Sequence, residues 1–65
     1  MTAFYRLKGV IGPFYKEEGN AVREAKRIAR QVKKPVLIEV DYDDGQGWQA
    51  LRIEGREFAT EPGQA

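Results

Sequence analysis

The sequence predicts an α+β domain, one helix packed on a small antiparallel sheet, in the order β(β)αβββ. Three observations predict it. One stretch, 20–34, carries its apolar residues at helical spacing, whereas the stretches around it alternate with the period of strands. Gly-Pro and Asp-Gly pairs punctuate those strands as turns do. A lone helix this short cannot bury its apolar stripe by itself, so it must lie across one face of the sheet.

Taken in order, 3–11 (AFYRLKGVI) alternates as a strand. Tyr5, Leu7 and Ile11 face one way, and Phe4, Arg6, Lys8 and Val10 the other. Gly9 interrupts the alternation and marks a bulge or a bend. Gly12-Pro13 is a turn, and Phe14-Tyr15-Lys16 is a candidate short strand returning along the first. Asn20 is the expected N-cap of the helix. Glu17, Glu18 and Glu24 place negative charge near the positive end of its dipole. At ~100° per residue, Ala21, Val22, Ala25, Ile28, Ala29 and Val32 fall within one arc. Lys33 and Lys34 occupy the last turn, and Pro35 stops the helix.

The strongest strand is 36–42, VLIEVDY, with Val36, Ile38, Val40 and Tyr42 on one face and Leu37, Glu39 and Asp41 on the other. DDGQG (43–47) is a hairpin loop with an Asp-Gly signal, and 48–53 is the next strand. Glu54-Gly55 reads as a two-residue turn into a last strand, 56–59. That register sets Arg52 opposite Glu57 and Leu51 opposite Phe58, both favourable pairs. Residues 1–59 form a single domain, and 60–65 (TEPGQA) a flexible C-terminal tail. Tyr5, Tyr42, Phe58 and Phe14 are candidate core aromatics.

Composition narrows the chemistry. With 65 residues the chain holds one domain with a small core. It has no cysteine and no histidine, so disulfides, thiol nucleophiles and the usual general base and metal ligand are missing. No apolar run approaches the ~20 residues that span a bilayer, and the N-terminus lacks a signal-peptide pattern. The expected setting is a reducing cytoplasm. Net charge is +1, but the charges are segregated along the chain. Opposite the apolar arc lie Arg23, Lys26, Arg27, Arg30, Lys33 and Lys34, six of the eleven basic residues, with Glu24 and Gln31 on one flank. Residues 39–44 carry Glu39, Asp41, Asp43 and Asp44 with no cation. The local field, not the net charge, decides what approaches each side.

Candidate sites follow from that segregation. The carboxylates Asp41, Asp43 and Asp44 offer hard-cation ligands or an acid/base pair. DYDDG resembles the start of a calcium loop but lacks its spaced ligands and closing Glu, and Asp is a common turn former. No nucleophile elbow or phosphate-binding loop is present, so neither catalysis, a cofactor nor a metal is expected. Lys and Arg are good helix formers, yet the middle of the basic arc lacks balancing acids, and like charges four residues apart oppose the helix. A phosphate backbone or an acidic protein surface is the matching partner. Phe4 and Trp48 are candidates for the sheet face away from the helix. There they either stack bases together with Arg6, Lys8 and Arg52, or close the edge of a thin core.

AKRIA (25–29), then IEV, GWQA and EGREF, carry a likeness. In order and spacing, 24–58 resembles a small single-helix family of phage-encoded anti-CRISPR proteins acting on type I-F systems. The resemblance covers about half the chain. Its N-terminal third matches only as a strand, and Gly12-Pro13-Phe14-Tyr15 has no counterpart. The likeness implies binding along the backbone subunits of an RNA-guided surveillance complex and a block on hybridisation of target DNA to the guide. It also implies that members promote nonspecific duplex binding by that complex. By position, Lys26 and Arg27 match the family's binding residues, and Arg56 sits where its final turn carries a basic residue. Gln31 stands where the family has a further lysine, with Arg30 and Lys34 nearby. The acidic DYDD loop is a departure.

The sequence thus points to a non-enzymatic inhibitor from a phage or mobile element. It is expected to bind a type I CRISPR surveillance complex, a protein–RNA assembly in the bacterial host cytoplasm, and to block target DNA. The binding residues are Arg23, Lys26, Arg27, Arg30, Lys33, Lys34 and Arg56. The alternative is a small accessory protein that binds DNA or RNA directly through the same face. No membrane partner is expected, and the protein is a monomer or a homodimer.

Overall fold

Strand β1 (Phe4–Leu7) leads into helix α1 (Glu18–Val32), then into the hairpin strands β2 (Val36–Asp41) and β3 (Gln49–Glu54), and a 3₁₀ turn (Arg56–Phe58) follows. The computed structural model describes residues 2–59; the expected tail, 60–65, lies outside the described residues. The sheet is antiparallel throughout, with β2 between β1 and β3, and α1 covers one face. The α+β class is the one the periodicities predict.

Two periodicities meet in the core. Val36, Ile38 and Val40 alternate inward from β2, while Ala21, Ala25 and Ala29 project at fourfold spacing from α1. Leu7 completes the buried set, and Tyr5, Tyr15, Val22, Ile28, Leu51 and Phe58 pack around it. Alanine ends at Cβ, so the helix backbone comes closer to the sheet than a leucine stripe would permit. Gly55 adds to this approach. A Cβ built on it would lie 2.4 Å from the Ala29 Cβ, and its φ of 80° is the left-handed conformation that glycine adopts without penalty.

The β2–β3 ladder carries a bulge. Ile38 pairs with Arg52, but Glu39 pairs with Ala50, so Leu51 is the extra residue. The bulge re-aims the strand, and Leu51 packs on the core while its neighbour Arg52 turns toward the helix side. There the Arg52 Nε lies 2.6 Å from Oε2 of the buried Glu54, and a second Arg52 nitrogen lies 3.7 Å from the Glu18 carboxylate. The Arg52–Glu54 contact is one of charge, since its angles do not make a hydrogen bond.

Several expected boundaries move. The helix spans 18–32 rather than 20–34, with Glu17 as N-cap in place of Asn20. Tyr15 exchanges two 2.8 Å backbone hydrogen bonds with Tyr5, which anchors the chain just before it coils. At the other end Lys33 and Lys34 lie outside the helix, because a residue preceding proline is driven out of the α region. Lys33 takes φ 61°, and the Lys34 N–H donates to the Ala29 carbonyl at 3.2 Å, a Schellman closure.

Strand β1 stops at Leu7 rather than running to Ile11, because Gly9 has φ 80° and the Val10 N–H turns back to the Leu7 carbonyl at 3.1 Å. The candidate strand at Phe14–Lys16 reduces to the single Tyr5–Tyr15 bridge. The expected last strand, 56–59, is instead the 3₁₀ turn, closed by Phe58 N–H to Gly55 C=O at 2.9 Å. The pairs Arg52–Glu57 and Leu51–Phe58 therefore do not form, and Phe58 folds back onto the core. The order is βαββ. Tyr42 falls past the end of β2 and is exposed, as are Val32 and Phe14, so the core is smaller than the apolar count implies.

Two neighbouring left-handed positions give opposite predictions. Gly55→Ala adds both the clash with Ala29 and a backbone penalty, and should cost about 3 kcal/mol. Lys33→Gly relieves the same kind of penalty and should stabilise by about 1 kcal/mol. Urea denaturation of the two variants checks both signs.

Candidate functional site

Helix α1 displays its cations because its apolar residues are spent on the opposite arc. Arg23, Lys26, Arg27 and Arg30 lie at i, i+3, i+4 and i+7, and with Gln31 they line one shallow groove. The row extends about 10 Å along the helix axis. All four are exposed. Among the described residues no carboxylate oxygen lies within 4.0 Å of a charged nitrogen of Arg23, Lys26 or Arg30.

Arg27 differs from its neighbours. Its guanidinium contacts the Glu24 carboxylate one turn earlier and donates to the Gln31 side chain at 3.4 Å. The hydrogen bond to Glu24, and then the charge of Glu24, raise its pKa above the ordinary arginine value. The pair fixes the orientation of Arg27 and offsets part of its field.

The seven expected binding residues separate into two groups. Four share the groove. Lys33 sits in the helix cap with its Nζ 5.8 Å from the centroid of the Phe58 ring, so its cation faces the fold. Lys34 follows it outside the helix. Arg56 lies on the 3₁₀ turn and lines a separate hollow with Glu18, Arg52, Glu54 and Glu57. Lys26 and Arg30 also border a second hollow, with Glu54, Gly55 and Glu57, so the basic face has an acidic margin.

The aromatic residues make their own arrangement. Arg6 donates from Nε to Glu39 at 2.9 Å, and its guanidinium carbon lies 4.3 Å from the Trp48 ring centroid. Phe14 meets Trp48 at 5.3 Å between centroids, tilted by 50°. Of the two readings of the open sheet face, this cluster supports closure of a thin core, because Trp48 is engaged by Arg6 and Phe14. Arg52 belongs to the helix side and adds no cation there. The acidic loop is likewise occupied with its own backbone. Asp41 accepts from the Asp43 N–H at 2.8 Å, and Asp44 from the Gln46 N–H at 3.0 Å. These are Asx turns, which explain the aspartates locally. Among the described residues no group of three or more Asp or Glu side chains is placed to hold a metal ion.

No known protein family, curated protein or solved structure matches this chain. No helix among the described residues is long and apolar enough to cross a membrane.

Sequence reasoning found the four groove cations from a helical wheel. It missed the Arg6–Trp48 stack and the full exposure of Ile11, the apolar tip of the β1–α1 connection. The signal for Ile11 was present in its flanking Gly9 and Gly12-Pro13, which take the residue out of the strand. Removing Glu24, the carboxylate paired with Arg27, should strengthen the field of the groove. Glu24→Gln is expected to bind heparin about threefold more tightly, eluting at higher salt than the parent protein, whereas Arg23→Glu should elute at lower salt.

Proposed function

We propose that this protein is a non-enzymatic inhibitor of phage or mobile-element origin that binds a type I CRISPR surveillance complex in the bacterial cytoplasm and keeps target DNA from the guide. The observation that carries the reading is the groove of four cations on one helix face, three of them without a carboxylate partner among the described residues. The motif likeness of 24–58 names the complex. Lys26 and Arg27, the two positions that match the family's binding residues, lie side by side at the centre of that groove.

The mechanism is occupancy. A rigid helix presents the cations at fixed spacing, so little side-chain ordering is needed beyond the arginine rotamers, and Arg27 is already oriented by Glu24. The groove docks on a carboxylate- or phosphate-bearing surface beside the DNA path, and the body of the domain excludes the duplex. Electrostatic steering speeds the encounter, and desolvated arginine contacts slow release. The same cations support a second reading, direct binding of nucleic acid. That reading requires affinity without any protein partner, with a log–log salt slope of about −3 to −4 for three or four phosphates.

The double variant Lys26→Glu/Arg27→Glu separates surface from fold, since both side chains are exposed. It should lose co-elution with a type I-F surveillance complex on size exclusion, and target DNA should again shift in a gel. Its thermal midpoint should match the parent. Undiminished inhibition by this variant would sink the proposed surface, and DNA binding by the protein alone would favour the second reading.

A further inference from the structure

The connection from β1 to α1 turns Val10, Ile11 and Phe14 away from the core. Between Lys8 and Lys16 the sequence reads GVIGPFY, without a carboxylate. Ile11 is fully exposed, and Phe14 and Val10 are 60% and 37% exposed. The loop is nonetheless held at both ends. Tyr15 is tied to Tyr5 by its two backbone hydrogen bonds, Phe14 rests on Trp48, and Val10 turns back to Leu7. Ile11 stands between two hollows of about 200 and 260 Å³. Pro13 and Phe14 help line the first, and Lys8 and Glu39 the second, with Arg6, Leu7 and Val10 common to both beside Ile11 itself. The relief is a knob between two sockets.

We propose that Ile11 is an anchor that inserts into an apolar recess, rimmed by carboxylates, on a protein partner. The proposal rests on the inhibitor reading and names the protein component of that complex, rather than its RNA, as the surface this loop grips. A tethered knob with sockets on either side complements a contoured protein surface. A fluid bilayer rewards continuous apolar area, which Arg6, lining both hollows, and Lys8 and Glu39 in the second interrupt. A phosphate backbone offers an isoleucine no recess at all. The two lysines that bracket the loop, with no acid between them, select a carboxylate rim.

Burying one isoleucine in a protein pocket is worth about a 10- to 100-fold change in affinity. Affinity for a type I-F surveillance complex should be measured for the full chain, for Ile11→Ser and for Lys26→Glu/Arg27→Glu, across a salt series. The expected result is a 10- to 100-fold loss for Ile11→Ser, carried by faster dissociation, with the salt slope of the parent and an unchanged thermal midpoint. Parental affinity for Ile11→Ser, alongside lost binding by the charge variant, overturns the anchor and leaves the inhibitor reading standing. Absence of binding by the parent overturns both. Two controls identify a different occupant. Co-sedimentation of the parent with phosphatidylglycerol vesicles, lost in Ile11→Ser, overturns the protein recess in favour of lipid. A parental dimer in sedimentation equilibrium that dissociates in Ile11→Ser overturns it in favour of a second copy of the chain.

Discussion

The fold depends on how closely one helix can approach one sheet. Three alanines, Ala21, Ala25 and Ala29, form the whole buried stripe of α1, and each is without exposed surface. Small side chains bring little apolar area individually, but they let the helix settle closely on Val36 and Ile38. Gly55 continues the same logic from the sheet side, where any larger residue would meet Ala29. The chain leaves β3 through that glycine in a left-handed conformation, so one residue both permits the close approach and directs the 3₁₀ turn that returns Phe58 to the core.

Close packing on the inner arc has an electrostatic counterpart on the outer one. Most acids near the cations of the fold are engaged in the fold's own contacts. Glu39 holds Arg6, Glu18 and Glu54 flank Arg52, and Asp41 and Asp44 accept from loop backbone. On the helix, Glu24 alone reaches a groove cation. A nearly neutral chain thereby acquires a basic face, because Arg23, Lys26 and Arg30 keep no carboxylate partner among the described residues.

The side of the sheet opposite the helix shows the same economy of material. A three-stranded sheet with one helix leaves a face open, and Trp48 covers part of it by lying over Arg6 and against Phe14. Glu39 holds that arginine from below through the β1–β2 register. Trp48 and Phe14 serve the fold here by covering part of that face.

How much of this was legible depends on the range of the interactions. The α+β class, the burial of alternate residues in β2, the alanine stripe and the four groove cations follow from period-2 and period-3.6 patterns, which depend only on neighbours along the chain. The helix limits did not follow, because the Tyr5–Tyr15 bridge at one end and the left-handed Lys33 at the other are set by pairing and by Pro35 acting together. The final segment did not follow either. Gly55 is equally at home in a hairpin turn and before a 3₁₀ turn, and the second is the one that returns Phe58 to a core built from residues distant in sequence. The sequence alone determined which residues could face inward and that the helix would carry a basic arc. Tertiary structure decided which cations keep that arc, turning Lys33 toward Phe58, because such a contact rests on proximity between segments that no local pattern encodes.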